Sequence, residues 1–134
     1  MGDVSTGGSI PVSQLIEDAV VWVSPHASLE GVADLLGAGE IGALVVGDGT
    51  VVEGIVTERD IVHAIAQRKD LHQTTASDIA NSKLLWCDPS STVLEVAQEM
   101  LEHYVRHVLV QQDGGLAGIV SARDLLGAYT ASAG

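Results

Sequence analysis

A chain of 134 residues with 18 acidic and 6 basic side chains carries a formal charge of −12, which argues against affinity for nucleic acid or an anionic membrane surface. Apolar residues make up 46%, enough for a core, but they are mostly Val, Leu, Ile and Ala, and the lack of Phe leaves no platform for stacking bases. The single Cys87 excludes an internal disulfide and a zinc motif, and with no apolar run of roughly 18 residues and no signal peptide the chain reads as soluble and cytoplasmic.

Residues 1–11 are Gly/Ser-rich and are expected to form a flexible end; the opening Met1-Gly2-Asp3-Val4-Ser5-Thr6 formally fits an acylation pattern, which this simpler reading outweighs. "VSQLI" predicts a short helical turn, and Val20–Val23 a brief strand stopped by Pro25. Ser28 caps a helix whose apolar face is Leu29, Val32, Ala33 and Leu36, with Gly37 and Gly39 ending it. Strands Ala43–Val46 and Val51–Val56 flank the turn "GDGT". A helix then begins at Glu58, and the polar run "QRKDLHQTT" (67–75) reads as a linker.

The same order follows again. "ASDIA" predicts a turn, Leu84–Cys87 a strand stopped by Pro89, and Thr92 with Glu95 a capping box. The helix stripe is Val93, Val96, Ala97, Met100 and Leu101. Strands Val108–Val110 and Leu116–Val120 flank "QQDGG", a last helix begins at Ala122, and residues 131–134 read as a flexible C-terminus.

The two halves match at a constant offset of 64 positions, Gly54 falling on Gly118. Trp22 falls on Trp86, Pro25 on Pro89, Val32-Ala33 on Val96-Ala97, and "GIVTERDIV" on "GIVSARDLL". Repeats are thus expected at 12–66 and 76–130. The expected fold class is α+β: two β-α-β-β-α repeats packed sheet to sheet about an internal pseudo-twofold axis, since a three-stranded sheet alone buries little surface.

The nine-residue motif has two chemical readings. As structure, Thr57 ends a strand and caps a helix, and Asp60 at the third helical position answers it. As a site, the amides of a helix N-terminus attract an anion, a carboxylate there accepts from ribose hydroxyls, and Arg59 offers its fork to phosphate. Two copies in one context strengthen the second reading.

"GIVTERDI" and "GIVSARDL", with the strands "IGALVV" and "VRHVLV" before each hairpin, resemble CBS domains, the regulatory repeats named after cystathionine β-synthase. The resemblance covers about residues 12–130. It implies a paired module binding adenosine-containing ligands in clefts between the repeats. It assigns ribose and phosphate contacts to Thr57 with Asp60 and Ser121 with Asp124, and the adenine flank to the region of Val23 and Cys87. Arg59, Arg106 and Arg123, half of the six bases, lie in or beside the expected clefts, and His107 is a further phosphate contact. AMP, ADP or ATP is the expected ligand. ATP is disfavoured among them by the acidity of the chain, and S-adenosylmethionine and NAD are alternatives. The resemblance also implies a homodimer formed through exposed helix faces and an unidentified regulated protein; a purely structural dimerisation module is the competing reading. One departure stands out. Many relatives carry Pro where Val45 and Leu109 stand, which here restores a backbone donor.

No nucleophile with an activating base is present, so no catalysis is expected. His103 and His107 span a predicted helix-to-strand change and do not suggest a metal pair. His63 reads as helix surface, His26 and His72 as loop residues, and Cys87 as a small apolar residue. Trp22 and Trp86 are expected to fill an interface.

Overall fold

The computed structural model describes residues 7–16, 20–38 and 41–133. The acylation-like opening and Gly39 lie outside them. Six strands and five helices occur among the described residues. In chain order they are β1 (Trp22–Val23), α1 (Leu29–Ala38), β2 (Ala43–Gly47), β3 (Val52–Thr57), α2 (Glu58–Ala66), α3 (Ala76–Ile79), β4 (Trp86–Cys87), α4 (Val93–His103), β5 (His107–Gln112), β6 (Gly115–Ser121) and α5 (Ala122–Ala133). The β-α-β-β-α order therefore occurs twice. Short 3-10 turns at Gly7–Ser9 and Val12–Leu15 precede it.

The chain divides into two compact units. Among the described residues, one spans Val20–Leu84, and the other joins those before Val20 to those from Leu85 onward. Each holds one three-stranded sheet, in order β1-β2-β3 or β4-β5-β6. The outer β1 and β4 run parallel to the central strand, and the hairpin partner runs antiparallel. The central strands are buried at their middles: Leu44, Val45, Val46, Leu109 and Val110 have no exposed surface. That explains the β-branched run, because a strand covered on both faces has no polar side to present.

The backbone donors restored by Val45 and Leu109 are both used. The Val45 amide donates to the Val21 carbonyl at 2.9 Å and the Leu109 amide to that of Leu85 at 2.8 Å. These bonds tie β1 and β4, each only two residues long, to their sheets.

In the Val20–Leu84 unit, Leu29, Val32 and Leu36 of α1 pack with Leu44, Val46 and Val56 from the sheet and Ile61 and Ala64 from α2. Ala76, from the turn that opens the second sequence repeat, completes this core. The other unit packs Val93, Val96 and Met100 against Val108, Val110, Val120 and Leu125, and Val12 from the opening turn of the first repeat completes it. Val12 donates its amide to Ser91 at 2.8 Å, and Ala76 donates to Ala27 at 2.8 Å.

Several expectations need adjustment. Leu101 belongs to the α4 stripe by spacing, yet it is 78% exposed. Val93, Val96 and Met100 share one face, and one further residue turns the side chain by about 100°, out of the core. Gly37 lies inside α1, whose last residue is Ala38. The helix α5 continues through Ala133. Within the expected flexible lead, Gly7 and Gly8 are buried.

Trp22 and Trp86 are not equivalent. A Cβ on Gly47 would stand 2.7 Å from Trp22 Cζ3, so the Trp22 ring lies against the hairpin bulge of its own unit. Gln111 occupies the matching bulge in the other unit, and Trp86 is 42% exposed. Neither observation places the pair in a filled interface.

Candidate functional site

Both motif copies lie where the last strand of a sheet turns into a helix. Thr57 closes β3, and α2 begins at Glu58; Ser121 closes β6, and α5 begins at Ala122. The glycine of each motif is set by close approach. A Cβ on Gly54 would stand 2.9 Å from Ala80 Cβ and 3.0 Å from the Asn81 carbonyl oxygen. Asn81 bridges β3 by two hydrogen bonds, donating to Ile55 at 2.9 Å and accepting from it at 3.1 Å. At Gly118 a Cβ would meet Ile16 Cγ2 at 2.6 Å. In both units, chain from the opening segment of the other sequence repeat lies over the motif glycine, leaving no room for a side chain.

The capping reading is observed. Asp60 Oδ2 accepts from the Thr57 amide at 2.8 Å and from the Thr57 hydroxyl at 3.1 Å. Asp124 Oδ2 accepts from the Ser121 amide at 2.8 Å, while Ser121 Oγ accepts from the Asp124 amide at 3.0 Å. The box is thus reciprocal at both copies, and in the first the hydroxyl in addition donates to the carboxylate. The functional reading needs the same placement of groups and is not displaced by the cap.

His107 pairs in register with Ser121, and Ala43 with Thr57. Directly opposed residues share a sheet face with Cβ atoms about 5 Å apart, so His107 stands beside the Ser121 hydroxyl. Arg106 accepts the Ala122 amide at 2.9 Å through its carbonyl. Arg106, His107, Ser121, Arg123 and Asp124 thus gather at one end of the β5–β6 hairpin. Arg59, Arg106 and Arg123 are exposed, and no ion pair to any of them occurs among the described residues.

Val23 and Cys87 lie elsewhere in their units. Val23 pairs with Val46 and Cys87 with Val110, whereas Thr57 and Ser121 pair at Ala43 and His107, the other ends of the central strands. Three residues of strand separate the two positions, about 10 Å. Val23 instead lines an open hollow of about 580 Å³ with Trp22, Pro25, His26, Asp48 and Glu53 among others. Its two carboxylates and its lack of Lys or Arg suit a phosphate poorly. Cys87 is half-buried; burial foremost, then the charge of Asp88, pushes its thiol up to about 11, against an opposing hydrogen bond from Ser91. A thiol so shifted is a poor nucleophile at neutral pH.

Two features had no clear sequence signal: the strap over Gly54 and a cluster of two carboxylates and an imidazole on α4. Glu99, Glu102 and His103 on α4 hold ligand atoms within 4.8 Å of one another. His103 Nδ1 lies 3.1 Å from the Glu99 carbonyl oxygen and 3.5 Å from Glu99 Oε2. His107 is separated from them by Tyr104, which ends α4 in the left-handed region. No helix among the described residues is long and apolar enough to cross a membrane.

The CBS domain model matches the chain twice, over residues 12–67 and 76–131. Hypoxic response protein 1 of Mycobacterium tuberculosis is 32% identical over 113 residues, 83% of this chain and 79% of its own length. The crystal structure of a CBS-domain protein from Agrobacterium tumefaciens has a TM-score of 0.80 at 37% identity, covering 88% of this chain and 98% of the other. A CBS-domain protein of Pyrobaculum aerophilum, solved in complex with AMP, has a TM-score of 0.77 at 34% identity, covering 86% and 89%.

Proposed function

The chain belongs to the CBS-domain family as a tandem pair, and from that premise we propose that it is a non-catalytic regulatory module binding an adenine nucleotide at its strand-to-helix junctions. Thr57 with Asp60 and Ser121 with Asp124 take the ribose and phosphate side, joined by Arg59, Arg106, Arg123 and His107. The observation that carries this reading is the state of the arginines. In a chain with 18 acidic residues, Arg59, Arg106 and Arg123 have no ion pair among the described residues and stand beside the starts of α2 and α5. Cations left unpaired next to backbone donors suit a phosphate. The AMP complex of the Pyrobaculum relative supports AMP as the ligand to try first.

Binding would shift the balance between conformations of the chain or its assembly, and so alter a partner. The assembly we propose is a homodimer. Val62 and Ile65 on α2 are 61% and 62% exposed, and the equivalent Leu126 and Tyr129 on α5 are 64% and 47% exposed. These repeat-related apolar pairs are suitable contacts for a second copy.

Thermal melting with AMP, ADP, ATP, S-adenosylmethionine and NAD tests the ligand. A compound at about 100 times its dissociation constant adds roughly 2.7 kcal/mol of stability. AMP is expected to raise the melting temperature. If no adenosine compound shifts it at millimolar concentration, the nucleotide reading fails and the dimerisation module takes its place.

A further inference from the structure

The two motif ends differ in charge. At the first, α2 opens with Glu58, Arg59 and Asp60, a formal charge of −1, and the facing strand starts at Ala43, preceded by Gly42. At the second, α5 opens with Ala122, Arg123 and Asp124, and the facing strand brings Arg106 and His107, a formal charge of +1 with His neutral. The pairing registers are the same, Ala43 with Thr57 and His107 with Ser121, so these residues occupy equivalent places. Both hydroxyls belong to the local cap, Thr57 Oγ1 at 3.1 Å from the Asp60 carboxylate and Ser121 Oγ at 3.0 Å from the Asp124 amide, so charge is what separates the two ends.

Resting on the nucleotide reading above, we infer that the ends are functionally unequal: the Ser121 end selects the phosphate-bearing ligand, and the Thr57 end does not hold a phosphate of its own. Arg106, His107 and Arg123 are the residues that set this selectivity. An anion approaching the Thr57 end meets Glu58 at the first helical position, where the Ser121 end has Ala122. One chain therefore binds one nucleoside phosphate, and affinity for AMP exceeds that for adenosine because of the second end alone.

Charge exchange between the ends provides the test. Arg106→Gln with Ala122→Glu gives the second end the charge of the first. Gly42→Arg with Glu58→Ala gives the first end the charge of the second, and no atom lies within 4 Å of a Cβ placed on Gly42. Isothermal titration with AMP and with adenosine measures stoichiometry and affinity, and thermal melting without ligand checks folding. The expected results are one AMP per wild-type chain, a loss of AMP affinity of about tenfold or more in the first variant with a much smaller change for adenosine, and a second AMP per chain in the second variant. Two equal AMP sites in the wild-type chain, or equal losses for AMP and adenosine in the first variant, would overturn the inference while leaving the nucleotide reading intact. A wild-type chain that binds no adenosine compound would overturn both. If the first variant melts before it can be titrated, Arg123→Gln gives the same comparison at an exposed position.

Discussion

Asp60 and Thr57 meet through one oxygen: Asp60 Oδ2 accepts both the amide and the hydroxyl of Thr57. The carboxylate that would greet a ribose is also the group that starts α2. Asp60→Ala is therefore expected to lower stability by about 1 kcal/mol, within the range for a lost helix cap, with little change in AMP affinity. Asp124→Ala should lower stability by a similar amount and separately weaken AMP by about 1.5–3 kcal/mol through the loss of charge-assisted hydrogen bonds. Unfolding in urea gives the first quantity and titration calorimetry the second. A stability loss with unchanged AMP affinity in Asp124→Ala would leave only the cap.

Gly54 and Gly118 should respond differently to Ala. At Gly118 the obstacle is the Ile16 side chain, 2.6 Å from the new Cβ; at Gly54 it includes the Asn81 carbonyl, 3.0 Å away and held in a backbone bridge. Overpacking costs about 1–3 kcal/mol. Ile16→Ala is expected to recover much of the loss in Gly118→Ala, and no single side-chain truncation should do so for Gly54→Ala. A double-mutant cycle by denaturant unfolding checks both.

Leu109→Pro should be costly. It removes the donor to the Leu85 carbonyl in a strand with no exposed surface at that residue. An orphaned carbonyl costs about 1–3 kcal/mol. Amide hydrogen exchange in the variant should show β4 released from its sheet, while the β5–β6 hairpin stays protected.

Cys87 has its thiol raised from 9.0 to about 11, chiefly by burial. Because the folded state holds the proton more tightly, the group stabilises fully below the unfolded value and the contribution fades as pH rises from about 9 through about 11. Melting temperature is expected to fall across that window, and less so in Cys87→Ala. Alkylation by iodoacetamide at pH 8 should be far slower than for unfolded chain. Asp88→Asn should speed it by removing the second cause of the shift.

Asp78 is a contrasting case. The Thr75 amide and hydroxyl hold its carboxyl below the ordinary 3.8, so its contribution is present above that value and is lost as pH falls below it. Asp78→Ala should therefore flatten the acid end of a stability-against-pH curve.

Much of this fold is legible in the sequence because each element carries its own local signal. The helix starts at Glu58 and Ala122 follow from a hydroxyl and an acid three residues later, and Thr92 with Glu95 forms the expected reciprocal box. Leu29, Val32 and Leu36 are buried as their spacing requires. What could not be read depends on contacts distant in sequence. Nothing local to Gly54 announces Asn81, and nothing near Trp22 announces that its ring lies on Gly47 while Trp86 faces the opposite case at Gln111. The residue types and repeat positions of the candidate site can be read from the motifs; the opposition of His107 and Ser121 requires strand register. The additional bond from the Thr57 hydroxyl to Asp60 depends on a side-chain rotamer, which the near-identical motifs do not reveal.

Val12 and Ala76 each complete the core of the unit formed mainly by the other repeat. The periodicity of the gene and the boundaries of the folded bodies are therefore out of phase. Excising residues 12–66 as one repeat would strand Val12 and remove Ala76 from the core that needs it. A cut that follows the packing would keep residues 20–84 together. A single repeat taken alone would lack the turn that completes its core, and only a second copy could supply it.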